Sequence, residues 1–133
     1  SDERKTTVAD EKTTAEPLII FDKESLLERL MGDEEFVHEV IEGYLEDIPK
    51  RIKALKDCLE KGDLKGAELQ AHTIKGASAN LSGEAVREIA AVIEKACKAG
   101  GKGPSQSDLS NLEVRYVQLK LVLQKELRKK TNK

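Results

Sequence analysis

Between Phe36 and Leu59 the apolar residues recur every three or four positions: Phe36, Val37, Val40, Ile41, Tyr44, Leu45, Ile48, Ile52, Leu55 and Leu59. That interval returns side chains to one face of a helix, whereas a strand would alternate them. The spacing predicts one long amphipathic helix running to Lys61, with Gly62 as its stop. Asp33 is placed to cap it, and Glu34 and Glu35 put negative charge at the positive end of the helix dipole. Pro49 lies inside the run and removes a backbone donor. A kink near residues 46–48 is expected there, with two shorter helices meeting at Pro49 as the alternative. A stripe this long needs other helices to cover it.

The remaining sequence supplies them. Asp22 caps a short helix over residues 23–31, with Leu26, Leu27, Leu30 and Met31 on one side and Gly32 as terminator. Asp63 caps a third helix whose stripe is Leu64, Ala67, Ala71, Ile74, Ala77 or Ser78, and Leu81. Ser82 and Gly83 interrupt it. A fourth helix is predicted over residues 84–98, with Val86, Ile89, Ala90, Ile93 and Cys97 inward. Residues 99–107 hold three glycines and Pro104 and read as a loop. The last helix is expected from Ser107 or Asp108, with a seam of Leu109, Leu112, Tyr116, Leu119, Leu123 and Leu127. One short helix and four longer ones on short connections predict an all-α fold, an antiparallel up-down four-helix bundle with a short extra N-terminal helix. No strand pattern is expected. Leu18 to Phe21 reads as a short extended lead-in packed on the domain, which spans 17–130. Residues 1–16 are charged and threonine-rich and read as a disordered tail or linker. A start on serine without methionine suggests a domain taken from a longer protein.

With two Phe, two Tyr and no Trp, the core must be aliphatic. Charged residues make up 36% of the chain but net only -2, without the basic patch that nucleic acid requires. No apolar run approaches the roughly 20 residues of a membrane span, and no signal-peptide pattern opens the chain. A cytoplasmic location without direct membrane contact is expected. Cys58 and Cys97 fit no metal-ligand spacing and read as small core residues in a reducing compartment; a disulfide has no support.

At about 100° per residue, the inward stripe of the third helix puts His72 on its outer face. Ala79 and Gly83 project within about 20° of His72, Gly76 within about 40°, and Lys75 and Leu69 within about 60°. Glu68 sits on the rim one turn earlier. A lone surface histidine, or a lysine three residues on, is commonplace in so charged a chain. Glycine in mid-helix costs about 1 kcal/mol relative to alanine and calls for either tight packing or an approaching partner. Its place beside His72 favours the partner. His38, among Val37, Glu39 and Val40, has no such face.

The run Ala71-His72-Thr73-Ile74-Lys75-Gly76-Ala77-Ser78-Ala79-Asn80-Leu81 closely resembles the signature of histidine-containing phosphotransfer (HPt) domains. His72, Lys75, Gly76 and Ala79 match residue by residue. Ser82 stands where many members carry glycine, and Gly83 follows one residue late. The likeness extends from about Leu18 to Arg128 and includes Gly32-Asp33-Glu34-Glu35-Phe36 and Asp47-Ile48-Pro49.

The resemblance implies a relay between aspartates of response-regulator receiver domains in two-component signalling, a setting often bacterial. His72 would be the phosphoacceptor, Lys75 would stabilise the phosphoryl oxygens, and Gly76, Ala79, Ser82 and Gly83 would give clearance. Glu68 and Leu69 would form the docking rim, with Glu68 a candidate to orient the ring. No metal ligand set is expected in this chain, and Mg²⁺ would come with the receiver. The resemblance further implies a monomer, and the sequence has no glycine-rich nucleotide loop, so neither autokinase activity nor an ATP site is expected. The linker-like residues 1–16 favour the C-terminal module of a hybrid sensor histidine kinase, itself membrane-bound in some architectures, with a stand-alone domain as the alternative. Two other readings compete: an HPt-like helical module that binds a receiver or another partner without phosphotransfer, and a purely structural bundle.

Overall fold

The computed structural model describes residues 5–8 and 18–130. In chain order the elements are β1 (Lys5–Val8), β2 (Leu18–Asp22), α1 (Lys23–Arg29), α2 (Glu34–Glu60), α3 (Leu64–Leu81), α4 (Glu84–Ala99) and α5 (Gln106–Lys130). The four long helices form the bundle, as expected. Three helix starts, those of α1, α2 and α3, are the ones that the sequence marks. The carboxylate of Asp22 accepts from the Ser25 amide at 3.2 Å, Asp33 from Phe36 at 3.0 Å and Asp63 from Gly66 at 2.8 Å. α2 runs unbroken through Pro49, which rules out the two-helix alternative.

Several expectations are corrected. Two short strands exist where none was expected: β1 and β2 pair antiparallel, with a register shift between Thr6 and Thr7. Only the last part of this sequence is apolar, so its two-residue periodicity is too short to read. The lead-in itself is confirmed as β2, which buries Ile20 and Phe21 against the bundle. Apart from β1, the expected disordered segment at 1–16 lies outside the described residues. α5 begins earlier than expected because Ser105 and Asp108 form a reciprocal cap: the Asp108 amide donates to Ser105 Oγ at 3.0 Å, and the Ser105 amide to Asp108 Oδ2 at 3.2 Å. Met31 points to solvent, because its φ of 57° belongs to the turn that ends α1.

The core is aliphatic, built around Val37, Ile41, Ile48, Leu55, Ile74, Leu81, Ile93, Leu112, Leu119 and Leu123. α3 packs along α2 on one side and along α4 on the other. Between Ala77 and Ser78, the fold buries Ser78, whose hydroxyl meets the Tyr44 hydroxyl at 2.7 Å. Tyr44→Phe should cost about 1–2 kcal/mol, since it strands a buried hydroxyl. The double variant Tyr44→Phe/Ser78→Ala should cost less than the two single changes summed, as urea melts would show. Additive costs would mean that the two hydroxyls are not coupled.

Candidate functional site

α3 is fixed by its inward stripe: Ala67, Ala71, Ile74, Ser78 and Leu81 are buried. The opposite face must then project outward. The His72 side chain is 62% exposed, and Gly76, Ala79 and Leu69 are exposed along the same face. A Cβ built on Gly76 would meet nothing within 4 Å. Packing within the fold therefore does not require glycine at this position.

α4 lies alongside and presents Glu94, whose side chain is only 8% exposed. One carboxylate oxygen is 2.8 Å from His72 Nδ1, and the other takes a 2.6 Å ion pair from Lys75 Nζ. Burial pushes the Glu94 carboxyl up, but the hydrogen bonds and charges of Lys75 and His72 outweigh it and hold the group below its ordinary range. An ionised carboxylate only accepts hydrogen bonds. Nδ1 must then carry the proton, which leaves the lone pair on Nε2. Nε2 has no hydrogen bond among the described residues. Glu94 thus sets both the tautomer and the tilt of the ring.

Glu94 was not among the residues that the sequence singles out. The signal was present: it sits four residues after Ala90 and three before Cys97, a carboxylate on the apolar stripe of α4. The orienting role considered for Glu68 falls to Glu94 instead. Glu68 lines a groove of about 420 Å³ beside the imidazole, with Lys65, Leu69, His72, Glu94 and Lys98.

The clearance expected of Ser82 and Gly83 is also corrected, because both are buried. Ser82 ends α3 in the left-handed conformation, φ 70°, and the Gly83 amide donates to the Ser78 carbonyl at 2.8 Å. Arg29 of α1 donates to the Asn80 carbonyl at 2.5 Å and to Ser82 Oγ at 2.6 Å. A Cβ on Gly83 would come within 2.9 Å of Leu119 Cδ2, so glycine there serves the packing of α5. Of the four residues expected to give clearance, Gly76 and Ala79 are the two on the outward face.

The depressed Glu94 pKa has a sign. The folded carboxyl binds its proton less tightly than the unfolded one, so its stabilisation is complete above the unfolded value of about 4.3 and fades as pH falls through the lower folded value. Glu94→Gln should cost about 1–2 kcal/mol at pH 7, less than a fully buried pair because Lys75 is partly exposed. In urea melts the gap from the unsubstituted chain should narrow by pH 3. An equal gap at both pH values would exclude the ionised carboxylate as its source.

Among the described residues, no helix is long and apolar enough to cross a membrane, and no three His, Cys, Asp or Glu side chains gather as a metal cage. Cys58 and Cys97 are free thiols, and burial pushes both up.

The family model described as "Hpt domain" matches residues 39–128. The phosphorelay intermediate protein rdeA of Dictyostelium discoideum is 34% identical over 100 residues. That alignment takes in 75% of this chain but only 37% of the relative. Among solved structures, the histidine-containing phosphotransfer protein B (HptB) of Pseudomonas aeruginosa PAO1 superimposes with a TM-score of 0.77 at 17% identity. The superposition covers 83% of this chain and 96% of that one, and bears on the fold alone.

Proposed function

This chain belongs to the Hpt domain family, and from that membership and the geometry at His72 we propose that it is a phosphorelay intermediate in two-component signalling. It accepts a phosphoryl group on His72 from a receiver phosphoaspartate and passes it to another receiver aspartate. The observation that carries this reading is the pairing of an exposed imidazole with a buried carboxylate at Nδ1, which leaves Nε2 as the nucleophile.

In the forward step, Nε2 attacks phosphorus, the P–O bond to the receiver aspartate breaks, and the aspartate leaves as carboxylate. The proton stays on Nδ1, and Glu94 offsets the positive charge of the phosphoimidazole ring. Lys75, one turn from His72, offsets charge on the phosphoryl oxygens. The return step reverses these events toward a second receiver. Gly76 and Ala79 let the partner's backbone approach, and Leu69 gives it an apolar contact. Mg²⁺ belongs with the receiver's acidic site in this scheme. The domain acts as a monomer in the cytoplasm, joined to a hybrid sensor kinase; the relatives compared come from Dictyostelium and from a bacterium alike.

The test is to mix the chain with a receiver domain phosphorylated by acetyl phosphate. An acid-labile, alkali-stable phosphoryl group should appear on this chain within minutes. Receiver binding without any transfer would favour a non-catalytic binding module instead.

A further inference from the structure

We propose that the groove on the N-terminal side of His72 selects receivers by charge: Lys65 and Lys98 hold a partner that carries carboxylates around its phosphoaspartate site, beside an apolar residue seated on Leu69. This rests on the phosphotransfer reading of His72 and names the partner surface which that site takes.

Lys65 lies two turns before His72 on α3, within about 20° of it around the axis. Lys98 lies one turn beyond Glu94 on the neighbouring helix, and both lysines line the same groove as His72 and Leu69. Several other cations are committed, Lys75 beside the same site among them: Lys75 to Glu94, Arg87 to Glu84, Arg115 to Glu88, Lys56 to Glu113 and Lys23 to Glu126. Lys65 and Lys98 are exposed and make no ion pair among the described residues. An incoming carboxylate therefore displaces only water from them, not an internal partner.

The local charge has the matching sign. Three lysines, Lys65, Lys75 and Lys98, stand against two carboxylates, Glu68 and Glu94, on a chain whose net charge is -2. Glu94 already holds two donors and is turned inward. On the other side of His72 the small residues are Gly76 and Ala79, and the nearby Arg29 guanidinium is already held by the Ala79 and Asn80 carbonyls and Ser82 Oγ. Lys65 and Lys98, without an internal partner among the described residues, put exposed cations on the groove side, where they act chiefly on the rate of encounter and on its salt dependence.

The experiment measures kcat/KM for transfer from a phosphorylated receiver with an acidic surface around its aspartate, and from the same receiver with those acids changed to lysine. Lys65→Glu/Lys98→Glu should lower kcat/KM with the acidic receiver about tenfold or more at 50 mM salt, with the gap closing as salt rises. The lysine-bearing receiver should recover the lost rate, and Lys65→Arg/Lys98→Arg should behave as the unsubstituted chain does. Labelling of His72 by phosphoramidate, which needs no docking, should be unchanged. The proposal is overturned by an unchanged kcat/KM, by failure of the charge-swapped receiver to recover it, or by an equal loss with phosphoramidate. If His72 takes phosphoryl from neither a receiver nor phosphoramidate, the phosphorelay reading falls as well.

Discussion

Replacing His72 by glutamine should abolish phosphoryl acceptance, with a fall of about 10³-fold or more and no residual acid-labile label. Glutamine is close in size and keeps a donor for Glu94, but it has no ring nitrogen with a nucleophilic lone pair. Because the His72 side chain is 62% exposed, stability should change by no more than about 0.5 kcal/mol. The loss therefore reads on chemistry rather than folding. The measurement is label on this chain after incubation with a phosphorylated receiver, with circular dichroism as the control for fold. Equal labelling of His72→Gln and the unsubstituted chain would move the acceptor elsewhere. Transfer by neither, with binding intact in both, would leave a docking module without relay activity.

A second large effect is expected at Gly76. Nothing lies within 4 Å of a Cβ placed there, so Gly76→Ala should raise helix stability by about 0.5–1 kcal/mol through propensity alone. Gly76→Leu should also fold, since its side chain points into solvent. Transfer from a receiver should nevertheless fall about 10²-fold, because a leucine one turn from His72 holds the two reacting atoms apart. Labelling by phosphoramidate should be nearly unaffected, because a small donor does not need the bare face. Retained receiver transfer in Gly76→Leu would leave the glycine unexplained. A loss of thermal stability in Gly76→Ala would mean that the site is not open.

Most of the fold was legible because it is written in local chemistry. Asp22, Asp33 and Asp63 each precede a helical stripe, and each accepts the amide three residues on. The sequence points to Ser107 or Asp108 as the start of α5, whereas the Asp108 carboxylate closes a cap that Ser105 begins. The outward face of α3 was legible for the same reason: the inward positions of one regular helix fix the outward ones. What escaped were contacts between elements. Glu94 reaches across to α3, and Glu126 is buried on α5 with Lys23 at 2.7 Å. Each is a carboxylate on an apolar stripe, a pattern that signals a buried partner without naming it. Helical angle puts Gly83 on the exposed face, and the resemblance puts Ser82 there, but Ser82 leaves the helix at a left-handed residue, after which helical angles no longer apply.

The shared grip of Glu94 on His72 and Lys75 bears on how long a phosphoryl group would stay. Lys75 is engaged before any phosphoryl arrives, so on the proposed reading a phosphohistidine would share with Glu94 an ammonium that already serves one carboxylate. A site so arranged would hold its cargo more shallowly than one with an uncommitted lysine. That suits a carrier, whose occupied and empty states must lie close in free energy for the group to move on in either direction.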